Sequence, residues 1–198
     1  IMKVLTIGLV LIGIFIVFQS FIAINAVKTE KQKFRVILKE DRFEIRFYPS
    51  ATMATIYSNA TDYKGLASSG FRKLARYIFG GNEQKQSISM TAPVRMNMTE
   101  KGSSMSFVMP EKYNNNELPT PNDKSIDIQQ SKPVYVASIS FSGYATDVKI
   151  KSNKEQLEQM LKDKNIKVVG EYSFLGYNAP YEFIGRTNEI IIPIEWKE

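Results

Sequence analysis

The sequence predicts an α+β domain. It reads as a pseudo-twofold duplicated β-β-α-β-β unit, its strands forming a curved sheet or barrel with two helices packed outside, preceded by one N-terminal transmembrane helix. Three observations predict this. Residues 4–24, VLTIGLVLIGIFIVFQSFIAI, are an apolar run without a charge, while the rest of the 198 residues is mixed and polar. That remainder alternates in short strand-like runs interrupted by two segments of helical period. Its halves also align, FEIRFYPSATMATI with IDIQQSKPVYVASIS and SMTAPVRM with GYNAPYEF.

At ~1.5 Å per residue the apolar run covers ~30 Å, the thickness of a bilayer core. It exceeds the ~7–15 residues of a signal-peptide core, and Ile24 stands where a cleavage site before Val27 wants a small side chain. An uncleaved signal anchor over residues 1–27 is therefore favoured over a cleaved peptide. A charged linker, 28–40, and a domain over 41–198 follow. Lys28, Lys31, Lys33 and Arg35 after the run argue for a cytoplasmic domain by the positive-inside rule. The layout resembles a bacterial export anchor, which puts the domain outside. The expectation carried forward is a single-pass membrane protein with an exported, periplasmic domain.

Within the domain, FEIRFY (43–48) and TMATIYS (52–58) alternate around Pro49-Ser50 and read as a hairpin. A helix follows, capped by Thr61 or Asp62, with Tyr63, Leu66, Ala67, Phe71, Leu74, Ala75 and Ile78 recurring at three and four. Gly80-Gly81 ends it. ISMTAPVRMNM (88–98) and SMSFVM (104–109) supply two strands. Pro93 cannot donate to a ladder and marks a bend or bulge. In the second half SIDIQQS and VYVASISFS are strands, and Ser152–Glu155 is a capping box opening the second helix. YSFLGY and EIIIPIE close the fold. Ala92-Pro93 falls on Ala179-Pro180 in the alignment, which suggests the same interruption in both halves.

The chain contains no His and no Cys. Ser-His-Asp and Cys-His sites, metalloprotease helices and thiolate or imidazole zinc sites are thereby excluded. Neither a phosphate-loop nor a dinucleotide glycine motif occurs. Acidic neighbours such as Asp41 and Glu44 read as solvated surface, so a non-enzymatic protein with no metal site is expected. The net charge of +6 is spread over KTEKQK, FRKLAR and KIKSNK with no RNA- or DNA-binding signature, which argues against nucleic acid. Apolar and aromatic capacity remains: 12 Phe, 10 Tyr, 8 Met and 1 Trp, most of it core filling. On the first helix Phe71 and Ala75 lie one turn apart with Arg76 adjoining. An amphiphilic ligand with an apolar body and carboxylate edges suits that face.

Five stretches together resemble the SOUL haem-binding protein family. They are FEIRFYPSATMATI, GFRKLARYIFGGNEQKQSISMTAPV, FVMP (107–110), GYNAP (176–180) and GRTNE (185–189), in family order, spanning about Phe34 to Lys197. The resemblance implies a pseudo-symmetric barrel that binds haem or a related tetrapyrrole against its first helix. It maps the cofactor-binding face to Phe71, Ala75 and Arg76, with Arg186 as a further cation for the propionates. Ser68 and Glu182 stand where the family can carry Arg and Lys, which weakens the clamp. Without His, iron would need Tyr, Met or Lys, or no protein ligand, so binding should be weak and mainly hydrophobic. The alternative is a structural or interaction subunit of a membrane complex in which haem binding is vestigial.

Overall fold

Among the residues described from 29 onward, alternating apolar and polar side chains build eleven strands, with two helices packed on one face of the main sheet. The computed structural model describes residues 13–15, 29–99, 102–113, 117–179, 181–183 and 185–197. In chain order its elements are β1 (Glu30–Lys31), β2 (Arg35–Lys39), β3 (Glu44–Tyr48), β4 (Thr52–Ser58), α1 (Tyr63–Ile78), β5 (Thr91–Ala92), β6 (Val94–Thr99), β7 (Gly102–Val108), β8 (Ile126–Gln130), β9 (Val134–Ser142), α2 (Asp147–Asp163), β10 (Ser173–Gly176) and β11 (Thr187–Pro193). The expected membrane helix lies outside the described residues except for 13–15, which are helical. Among the described residues no helix is long and apolar enough to cross a membrane. The ring of Phe15 lies 6.3 Å from that of Phe183.

Nine strands form one curled sheet in the order β2-β3-β9-β11-β10-β6-β7-β4-β8. Exchanging β3 with β8, β4 with β9, β6 with β10 and β7 with β11 turns the order from β3 to β8 into its own reverse. That palindrome is the duplication, and the β6–β10 pair lies on its axis, with Met96 opposite Phe174. Ala54 and Ile56 correspond to Ala137 and Ile139, and each pair packs into the same core.

The expected hairpin does not form. β3 pairs with β9, while β4 pairs with β7 and β8. The first strand of each half is exchanged, bonding to the second strand of the other half. The two short links cross where this happens: Ala51 N–H donates to Ser131 Oγ (3.0 Å), and Ser131 N–H donates to Ala51 O (2.9 Å). The charged lead-in, read as a linker, carries β1 and the edge strand β2, which joins β3 with an irregularity between Val36 and Leu38.

Pro93 separates β5 from β6 and follows a cis peptide bond. β5 pairs in parallel with β1 in a separate two-stranded sheet, whereas β6 belongs to the large one. A residue without an N–H suits the passage between two ladders. Pro180 lies outside the described residues. Ala179 nevertheless follows the end of β10, whereas Ala92 precedes β6, so the coincident Ala-Pro pairs are not structural equivalents.

Asp62 caps α1, its Oδ1 accepting the Gly65 N–H at 2.6 Å. α2 begins before the predicted capping box. Thr146 caps it through Oγ1 and the Lys149 N–H (3.3 Å), and Asp147 adds an acid to the positive first turn. Ser152–Glu155 therefore lies inside the helix. α1 lies over β4 and β7, and α2 over β9 and β11. Both pack on one face of the sheet, where Leu66, Leu74, Ile78, Ile150, Leu157 and Leu161 join one core with Met96, Met105, Phe107 and Ile190. Tyr48, Val136, Leu175 and Ile191 form a second, smaller cluster on the opposite face, as strand alternation requires.

Candidate functional site

On α1, residues Tyr63, Ala67, Phe71, Ala75 and Phe79 follow one another at steps of four. Four residues overrun a 3.6-residue turn by about 40°, so this line winds outward along the helix. Tyr63 to Ala75 are half-buried, and Phe79, the C-cap, is 68% exposed. Phe71 stands edge-on to Phe107 of β7, 5.4 Å between centroids, which fixes the inner end of the apolar strip. Arg72 and Arg76, both exposed, follow on the outer side of Ala75 and Phe79. The C-terminal half of α1 thus presents an apolar strip edged by two guanidinium groups. Of the residues read from the sequence, Phe71, Ala75 and Arg76 come together here. Phe79 and Arg72 complete the patch; the i+4, i+8 spacing from Phe71 signals Phe79.

Arg186 is elsewhere. Its Nη1 donates to the carbonyls of Ala179 and Glu182, each at 2.7 Å, and its guanidinium lies 4.4 Å from the Tyr144 ring centroid. Its charge reaches Tyr63, whose phenol is raised by burial, with Arg186 opposing. Tyr63 and Ala75 are separated by ~18 Å along the helix axis. Arg186 therefore ties the 179–186 loop and does not meet the Phe71–Arg76 patch. Glu182 is likewise occupied, accepting from Asn178 Nδ2 (2.7 Å) and the Ala179 N–H (2.9 Å).

The patch is held from below by Asn82, in the GGNE connector. This fully buried side chain donates to Tyr77 O (3.1 Å) and Gln86 O (2.7 Å) and accepts the Gln86 N–H (2.9 Å). Tyr77 OH donates to Pro119 O at 2.9 Å, and Lys73 Nζ to Ser125 Oγ at 3.2 Å, so residues 119–125 brace the helix. Asp123 there is held below the usual carboxylate range by its hydrogen bonds from Ser125, helped by Lys73 and Arg76.

The face of the sheet turned away from the helices is also charged. Glu189 on β11 accepts from Arg46, Ser140 and Tyr177. Burial opposes the charge on Arg46, but the Glu189 bonds outweigh it and raise its pKa. Burial and the Glu189 charge push the Tyr177 phenol up. Phe34 covers the pair, its ring centroid 4.2 Å from the Arg46 guanidinium carbon. Among the described residues no group of acids could hold a metal ion.

A duplicated β-β-α-β-β sheet with an apolar, arginine-edged first helix defines a small pseudo-twofold α+β class. The sequence profile of the SOUL heme-binding protein family matches residues 29–193, and the chain belongs to that family. Heme-binding protein 2 of Homo sapiens is 30% identical over 158 residues, covering 75% of this chain and 76% of its own. Heme-binding protein 1 of Sus scrofa is 24% identical over 172 residues, covering 81% and 90%. Among solved structures, the C-terminal domain of EcmrR superposes with a TM-score of 0.61 at 11% identity, over 79% of this chain and 98% of that one. A Listeria innocua protein described as a hydrolase superposes at 0.56 with 6% identity, over 80% and 94%. At such identities these structures share the fold alone.

Proposed function

We propose that this protein binds haem or a related tetrapyrrole, without catalysis, on the outer strip of α1. Phe71, Ala75 and Phe79 would lie under the macrocycle, and Arg72 and Arg76 would meet the propionates. The observation that carries this reading is the exposed Phe79 continuing a line of half-buried apolar residues beside two arginines. The strip fits a flat, amphiphilic anion. Bound haem would supply an iron centre, and the chain, having neither His nor Cys, would offer it no imidazole or thiolate. Binding rests on apolar contact and charge.

The reading includes anchoring by residues 4–24, whose length and lack of charge support a bilayer span, with the domain exported. Tyr144, Tyr181 and Phe183, all exposed, suit the polar–apolar boundary of a membrane. Haem would then be held or passed close to the bilayer.

Haem titration of the full chain in detergent micelles, followed by the Soret band, tests the site. Phe71→Asp and Arg76→Glu should each weaken binding by about tenfold, the scale of one lost apolar or charge-assisted contact. Unchanged affinity in both refutes the placement. A haem-free protein purified from its native membrane with a stoichiometric partner would favour an interaction subunit instead.

A further inference from the structure

β8 carries an inference that rests neither on the α1 strip nor on the N-terminal apolar run. The duplication exchanges β3 with β8, and β2 covers the outer edge of β3. Among the described residues no strand covers the equivalent edge of β8. The segment before β8, whose counterpart in the first half is β2, is held against α1 instead. Pro119 O accepts from Tyr77 OH, Pro121 bridges to Asn82, and Ser125 Oγ accepts from Lys73 Nζ. α1 itself lies over β4 and β7, inward of this edge.

The ladder fixes what this edge offers. Ser131 N–H donates to Ala51 O in register with the Thr52–Gln130 pair, so Asp127, Gln129 and Ser131 turn their peptide groups to β4. Ile126, Ile128 and Gln130 turn theirs outward. The side chains of Ile126 and Ile128 join the helix-side core, and Asp127 and Gln129 lie on the other face. A twofold axis through Ile128 sets Ile128 against itself and Ile126 against Gln130, so outward groups meet outward groups. The same axis sets each Asp127 against a Gln129, an acid against an amide. An axis at Asp127 would oppose two carboxylates, and one at Gln129 would pair fewer strand residues. β2 is different: paired with itself about Ile37 it would set Arg35 against Lys39, like charges that protect an edge.

We propose that β8 is the docking edge for a second copy of this chain, which adds its own β8 antiparallel about an axis at Ile128. The contact is isologous and closes at two subunits. Main-chain bonds at Ile128 hold it, and the two Ile128 side chains, half-buried in one chain, cover each other. Five residues a side make a small interface, so the dimer is weak and exchanging. Lys124 and Lys132, exposed beyond the strand ends, also come opposite each other, and added salt should tighten the pair.

The chain has no Cys, so single cysteines report the register in the full chain, held in detergent micelles and oxidised with copper–phenanthroline. A residue paired with itself has its two Cα atoms ~5.5 Å apart, within disulfide reach, whereas diagonal neighbours lie ~7–8 Å apart. Ile128→Cys should therefore form a disulfide dimer roughly tenfold faster than Asp127→Cys, although Asp127 is the more exposed. Asp127→Cys mixed with Gln129→Cys should cross-link while neither does so alone, which reads the register even if Ile128→Cys misfolds. In the Ile128→Cys background, Gln129→Glu opposes Asp127 twice and should slow cross-linking roughly tenfold. Gln129→Lys should speed it about threefold. Association through the apolar run would show no such dependence on position. The proposal is overturned if well-folded Ile128→Cys stays monomeric, if Asp127→Cys cross-links as fast, if the mixed pair does not cross-link, or if Gln129→Glu leaves the rate unchanged.

Discussion

Arg46 on β3 and Glu189 on β11 form a two-pronged ion pair across the intervening strand β9, at 2.9 and 3.0 Å, with each residue only 6% exposed. Glu44 adds a bond at 2.8 Å on the outer side. The pair joins strands from opposite halves of the duplication and so fixes the exchange of β3. Removing Glu189 leaves the buried Arg46 charge with only the outer Glu44 bond, whereas replacing both members removes the desolvation cost as well. Glu189→Leu should therefore destabilise the domain by ~3–5 kcal/mol, and Arg46→Met with Glu189→Leu should recover most of that. Urea unfolding of the two variants checks it. A double variant no more stable than the single would contradict the argument.

Phe79 and Arg186 divide the two placements of the haem edge. Phe79→Ser removes an exposed ring with no fold role, so affinity for haem should fall about tenfold at unchanged stability. Arg186→Ala should do the reverse. Its two carbonyl bonds and its place over Tyr144 hold the 179–186 loop, so proteolysis there should quicken while the Soret titration stays the same. Loss of haem binding in Arg186→Ala alone would move the site to that loop.

What the residues showed of this fold follows from the range of the forces involved. Alternation and helical period are local, and strands such as TMATIYS and VYVASISFS appear with their expected limits. Strand partners are not local: nothing in FEIRFYPSATMATI distinguishes a hairpin from a strand lent to the other half. Arg35–Lys39 was missed because an edge strand in a charged stretch buries too little to alternate. At the site, Phe71, Ala75 and Arg76 were legible as one helical face. Arg186 was carried there by family resemblance, and only the coordinates show its bonds to its own loop. Asn82 gave no signal of its own, since a buried amide becomes visible only through the backbone groups it meets.

Those backbone groups make Asn82 a stability test. Asn82→Ala would leave the buried carbonyl of Tyr77 and the Gln86 amide without their partner, at ~1–3 kcal/mol for each unsatisfied group. A loss of ~2–4 kcal/mol in chemical denaturation is expected, with haem affinity falling because α1 loses its C-terminal brace. A neutral substitution would show that water replaces the side chain.

Alkaline pH should unfold the protein through its buried phenols. Burial pushes Tyr77 up to about 12, and Tyr48 and Tyr177 are raised as well. An unfolded phenol ionises near ~10, so the folded state holds its protons longer. That stabilisation is complete below about pH 10 and is lost as pH rises towards 12. Tyr77→Phe should be less stable at neutral pH by ~1 kcal/mol, having lost the bond to Pro119, yet show a shallower decline above pH 10. Parallel stability–pH curves for the two proteins would remove Tyr77 from the account.

Strand exchange also predicts how the halves behave apart. A cut between Tyr113 and Glu117 leaves β1–β7 with α1 on one fragment and β8–β11 with α2 on the other. The first loses β8 from the edge of β4 and the second loses β3 from the edge of β9, and the β6–β10 seam opens in both. Each would expose unpaired edges and the helix-side core, which favours aggregation over folding. Neither fragment should show a cooperative thermal transition alone. An equimolar mixture should elute as one heterodimer with native-like circular dichroism, because the Arg46–Glu189 pair and the exchanged strands can form only between fragments. If residues 117–197 melted cooperatively by themselves, the halves would be independent folding units and the exchange a late addition.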